Sequence, residues 1–161
     1  MNMFKALFAV LALSLSFSSF ALTDDESLEY SDALTEGKLK VVQKYVKAQP
    51  SVVNDKIFGW SPLQMAANKG DIPTVKFLLS KGAEINYVHP IAHHTAFMLA
   101  AFSGQEEMAK FLAGAGADVN VKLKGDVSLV RYFRDEGSAH MVEFMTSLGV
   151  KDDGCMEQQC F

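Results

Sequence analysis

Apolar positions along this chain follow two patterns. Near the start, Ala6 to Phe17 make one apolar run of 12 residues, interrupted only by serines. Beyond it the apolar residues come in short blocks at helical spacing, as in Val75, Leu78 and Leu79, and glycine closes each block. Ser61 and Thr95 stand where an N-cap is needed, and Pro62 follows at the first helical position, where no N–H is required. The pairs Ala66-Ala67 and Ala100-Ala101 are small enough for an opening helix to pack closely on its neighbours. Gly70 and Gly104 then end that helix in the left-handed conformation, and Gly82 and Gly116 close a second one. The predicted unit is helix, tight turn, helix, loop.

The unit recurs. Gly37, Gly70, Gly104 and Gly137 are spaced 33, 34 and 33 residues apart. Ser61-Pro62-Leu63-Gln64-Met65-Ala66-Ala67 before Gly70 answers to Thr95-Ala96-Phe97-Met98-Leu99-Ala100-Ala101 before Gly104. Gly82-Ala83-Glu84-Ile85-Asn86 answers to Gly116-Ala117-Asp118-Val119-Asn120. A fixed period of this length is the mark of a solenoid.

These motifs resemble the ankyrin repeat, with its T-P-L-H-x-A-A helix start and G-A-D-V-N-like exit. The second repeat, 58–88, is the closest match and has Gln64 where the family usually has His. The third, 93–121, puts Ala96 in place of Pro and Met98 in place of His. The first, 28–54, has Gln49-Pro50 where Gly-Ala is expected, and the fourth, 128–150, replaces the Ala pair with Phe133-Arg134. The resemblance implies an all-α ankyrin-repeat solenoid of about four helix-turn-helix repeats. Its degenerate end repeats suit faces that meet water rather than a neighbour.

Export changes the picture at both ends. Lys5, the apolar run and the small residues Ser19 and Ala21 compose a secretory signal cleaved after Ala21, with a retained anchor as the alternative reading. A spanning helix needs about 20 apolar residues. The expected organisation is a signal peptide over 1–21, an acidic leader over 22–27, a repeat domain over 28–150 and a tail over 151–161. Cys155 and Cys160 are an even pair in a chain bound for an oxidising space, and they are read as a disulfide, with half of a metal site as the alternative. The expected location is the periplasm, with no membrane attachment after cleavage.

Charge and chemistry narrow the function. With 49% hydrophobic and 21% charged residues the composition is globular, and the net charge of −4 without a Lys/Arg-rich run argues against nucleic acid. The sequence has no G-x-S-x-G, no H-E-x-x-H and no Gly-rich phosphate loop before a helix, so no enzyme and no cofactor are expected. His89, His93 and His94 cluster in one loop. They are either a weak metal set, lacking a fourth ligand, or a polar recognition finger that gains charge at mildly acidic pH.

In the family the opening helices and the loop fingers line the concave side. Mapping this chain onto the family's variable positions places Met65, Asn68, Lys69, Leu99, Phe102 and Tyr132 on that face, with Phe58, Trp60, Tyr87 and His94 on the fingers. Of these, Trp60, Met65, Asn68, Lys69, Tyr87, Leu99, Phe102 and Tyr132 are the expected partner-binding residues, because large apolar groups at solvent-facing positions mark contact surfaces. The expected function is a monomeric binding module that caps or inhibits an exported enzyme or toxin, as an immunity protein would. The alternatives are an accessory protein for an exported enzyme and a metal-binding protein using the histidine loop.

Overall fold

The computed structural model describes residues 22–154. The expected export signal and the Cys155–Cys160 pair lie outside the described residues. Four helix pairs follow one another: α1 (Asp24–Glu36) with α2 (Leu39–Ala48), α3 (Pro62–Lys69) with α4 (Ile72–Ser80), α5 (Ala96–Phe102) with α6 (Glu106–Gly114), and α7 (Leu129–Asp135) with α8 (Ala139–Ser147). Among the described residues there is no extended strand, only one isolated bridge at the base of each of two fingers.

Successive opening helices pack side by side, α1 on α3 and α3 on α5. Their shared surface is made of the small residues read from the sequence: Ala66, Ala67, Ala100 and Ala101 are all buried. Leu63, Phe97 and Leu129 of the opening helices and Leu78, Leu112 and Met145 of the closing helices are buried in one hydrophobic core. Each such side chain taken fully from water stabilises the stack by about 2 kcal/mol. Gly70 holds a second close approach, because a Cβ there would fall 2.3 Å from Oε1 of Gln105 in the next repeat.

The loops carry their own ladder between repeats. Asn54 Oδ1 accepts from the Glu84 N–H at 2.9 Å, Asn86 Oδ1 from the Asp118 N–H at 2.8 Å, and Asn120 Oδ1 from the Lys151 N–H at 2.8 Å. One asparagine per finger thus satisfies a backbone donor one repeat further on.

Both ends of the repeat domain extend past the expected boundaries. The acidic leader is instead the first turn of α1. Thr23 caps it, with Glu26 reaching back to the Thr23 N–H at 2.9 Å in a capping box. Asp24, Asp25 and Glu26 lie at the positive end of the helix dipole, which explains an acidic run that reads as a leader in sequence. At the other end, Asp153 Oδ2 accepts from the Ser128 N–H at 2.9 Å, and Asp152 pairs with Arg134, so the start of the tail belongs to the last repeat. Where Gln49-Pro50 breaks the pattern of the first repeat, a 3-10 turn over Pro50–Val53 buries Val52 and Val53 instead.

Candidate functional site

The opening helices and the first two fingers carry the candidate surface. Finger 1 turns at Phe58 and Gly59, held by the paired backbone bonds Ile57 N–H to Trp60 O (2.9 Å) and Trp60 N–H to Ile57 O (3.0 Å). Such a two-residue turn needs positive φ at both positions and is usually Asn-Gly. Here φ is 51° at Phe58 and 85° at Gly59. Glycine is required at the second position for space as well, since a Cβ would lie 2.8 Å from His89 Nε2.

Finger 2 is the longest, with ten residues from Asn86 to Thr95 against eight from Asn54 to Ser61. Gln64 ties it down. Wholly buried, Gln64 accepts from the Ser61 N–H through Oε1 at 3.0 Å and donates through Nε2 to the carbonyls of Tyr87 (3.3 Å) and His94 (2.7 Å). The Tyr87 hydroxyl donates to the Gly59 carbonyl at 2.9 Å, joining fingers 1 and 2.

The eight expected contact residues divide into three groups. Trp60, Met65, Asn68 and Leu99 line a concave groove of about 230 Å³ together with Thr35 and Gln64. Phe102 and Tyr132 continue it as an edge-to-face pair 4.9 Å apart, and His94 bridges back, 5.1 Å from Phe102 and 6.4 Å from Trp60. Tyr87 is part of neither, with its hydroxyl in the finger tie and its ring under Lys56 Nζ at 4.0 Å. Lys69 is exposed outside the groove lining, at the end of α3.

The large apolar members of the strip are not free-standing. Trp60, Met65, Leu99, Phe102 and Tyr132 are half-buried, and Met65, Phe102 and Tyr132 pack against the core. Repeat register marks a position as outward-facing, but the aromatic neighbours in adjacent repeats cover one another. Two residues outside the expected set are far more exposed: Phe58 at 91% and Ile91 at 80%, each on a finger tip. The Phe-Gly turn was the available signal for the first. For Ile91 the signal was its place in the histidine loop between the second and third repeats, beside Pro90.

The histidines depart from the expected polar finger. His89 is buried beneath Trp60, with ring centroids 4.0 Å apart, and its Nδ1 accepts from the N–H groups of Ile91 (3.2 Å) and Ala92 (3.0 Å). His93 is exposed, and burial pushes His94 below the ordinary imidazole range, helped by the positive charge His89 and His93 would carry. That direction opposes a gain of charge at mildly acidic pH. Among the described residues no group of three His, Cys, Asp or Glu side chains is placed to hold a metal ion. His140 lies on α8, its ring nitrogen 2.7 Å from Glu106.

Comparison with known proteins follows the same residues. A family model of ankyrin repeats, in three copies, matches residues 31–122. The ankyrin repeat and SAM domain-containing protein 6 of Rattus norvegicus is 33% identical over 108 residues, which are 63% of this chain and 12% of the rat protein. The ankyrin repeat, SAM and basic leucine zipper domain-containing protein 1 of Notamacropus eugenii is 28% identical over 125 residues, 74% of this chain and 26% of its own length. The chain thus spans only about an eighth and about a quarter of the length of these two relatives. The crystal structure of an ankyrin repeat domain from Acinetobacter baumannii AYE superposes with a TM-score of 0.63 at 24% identity, covering 76% of this chain and 64% of that one. No helix among the described residues is long and apolar enough to cross a membrane.

Proposed function

The chain belongs to the ankyrin-repeat family, a protein–protein interaction scaffold that is generally not enzymatic, and from that premise we propose that it caps a partner enzyme in the periplasm. One observation carries this reading: Phe58 and Ile91 project almost fully exposed from two fingers that are tied to each other and to α3. A bulky residue at positive φ costs on the order of 1 kcal/mol, and full exposure of its ring returns nothing to the fold. Rigid apolar tips of this kind fit a recess, and an enzyme's catalytic cleft is such a recess. The concave groove beside them, from Trp60 to Tyr132, would take the rim of the same partner.

The test begins with the partner recovered from the native host by pull-down. Phe58→Asp and Ile91→Asp should each weaken binding about thirtyfold or more, the scale of an interface hot spot. Trp60→Ala and Phe102→Ala should weaken it too, with some loss of stability because those rings are half-buried. Tip variants that melt like the parent and bind equally well would sink the proposal. Capping predicts that the partner's activity falls on binding. A rise in its activity or lifetime would favour the accessory role instead. The location is checked by fractionation and by mass spectrometry, where Leu22 should be the first residue.

A further inference from the structure

The side of the stack formed by the closing helices carries a second surface. A groove of about 470 Å³ runs between α2 and α4, lined by Gln43, Val46, Lys47, Pro50, Phe77 and Lys81. Val46 and Phe77 give it an apolar floor. Its walls are basic: α2, the 3-10 turn and α4 contain Lys40, Lys44, Lys47 and Lys76 and no Asp or Glu, and Lys81 caps α4. Lys40, Gln43 and Lys47 share one helical stripe along the groove. Among the described residues, neither Lys40 nor Lys47 nor Lys81 has a carboxylate at ion-pair distance.

Helix dipoles account for part of this. Lys47 and Lys81 sit at helix C-termini, where a cation is favoured. Lys40 does not: it occupies the first turn of α2, at the positive end. A protein of net charge −4 thus lines one apolar groove with two lysines that lack counter-ions, Lys47 and Lys81, and sets Lys40 on the same stripe of α2 two turns earlier.

We propose that this groove between α2 and α4 docks an acidic segment of a second protein, with an apolar side chain on Val46 and Phe77 and carboxylates on Lys40, Lys47 and Lys81. Charge complementarity selects this occupant. A flat anionic membrane would also meet Glu107 and Glu143 on α6 and α8, which are exposed further along the stack, whereas a peptide confined to α2 and α4 avoids both. Three lysines with no arginine are too few to track a nucleic-acid backbone. The groove shares no lining residue with the concave groove from Trp60 to Leu99, so the chain would join two proteins rather than only cap one.

The probe is a fluorescein-labelled synthetic helical peptide with leucines on one face and glutamates flanking them, titrated into the full chain by anisotropy. Lys47→Glu combined with Lys81→Glu should weaken it roughly tenfold or more, and the exposed Lys124→Glu should not. Phe58→Asp should leave peptide binding unchanged, so this result stands or falls apart from the capping proposal. The idea is overturned if Lys124→Glu weakens binding equally, since net charge alone is then responsible. Equal binding of a lysine-for-glutamate peptide would also overturn it. So would Lys47- and Lys81-dependent sedimentation with phosphatidylglycerol vesicles, which assigns the face to lipid, or binding to a second copy through the same lysines in analytical ultracentrifugation.

Discussion

Gln64 shows how much one side chain does in this fold. It is the family's histidine position, and here an amide caps α3 and holds the carbonyls of Tyr87 and His94. Gln64→Ala leaves these groups buried without partners and should cost about 3 kcal/mol in urea unfolding. Gln64→Glu keeps the cap acceptor but loses both donors and should recover only a minor part. His94 gives a pH dependence whose sign is fixed by burial. Its folded form favours the neutral ring, so its contribution is complete above the ordinary imidazole value of about 6.5 and is lost as pH falls through the depressed folded value. The titratable groups facing it are His89 and His93. Melting temperature should therefore fall between pH 7 and pH 5 more steeply in the parent than in His94→Gln; equal slopes would remove the histidine from the account. Caps such as Ser61 and Thr95 were legible in the sequence because they act through neighbours three residues away. Burial of His89 was not, since it depends on Trp60 one repeat earlier.

At the scale of elements, every opening helix solves the same problem, an N-cap residue whose own N–H needs an acceptor. Glu26 supplies it for α1, Gln64 for α3 and the Met98 sulfur, at 3.4 Å, for α5. For α7 the corresponding residue is Arg131, which has no acceptor, and Asp153 comes from beyond the last helix to take the place. Asp153→Ala should cost about 1 kcal/mol in thermal unfolding, the scale of a lost cap. Asp152→Ala should cost less, because its pair with Arg134 is partly solvated. Helix pairs and their order were legible from the glycine period and the alanine pairs. The domain ends were not, because Asp24 to Glu26 and Asp152 to Asp153 carry charges that read as solvated sequence until a helix end is placed beside them.

As a whole, the molecule is a row in which each repeat meets only its neighbours, so the middle pairs are supported from both sides. Hydrogen exchange should protect amides of α3 to α6, around Val75, Leu78 and Leu112, longer than those of α1, α2, α7 and α8. Uniform protection would show one cooperative unit instead. The solenoid was readable from the sequence because its period is local and repeats itself. The contact strip was readable only as positions: from Met65 to Tyr132 the register put residues on one face, but how far they cover each other depends on ring packing between repeats. Surface charge was least legible, because Lys47 and Lys81 are 34 residues apart and share a groove only when α2 lies beside α4.

The turn at Phe58 has a consequence for anyone improving this protein. Asparagine tolerates positive φ better than phenylalanine, so Phe58→Asn should raise the melting temperature, by an amount near 1 kcal/mol in stability. A library sorted for heat resistance alone would therefore enrich asparagine at position 58 and discard the proposed anchor first. Sorting the same library for partner retention should hold phenylalanine there, and the two selections should diverge at that codon before any other finger position.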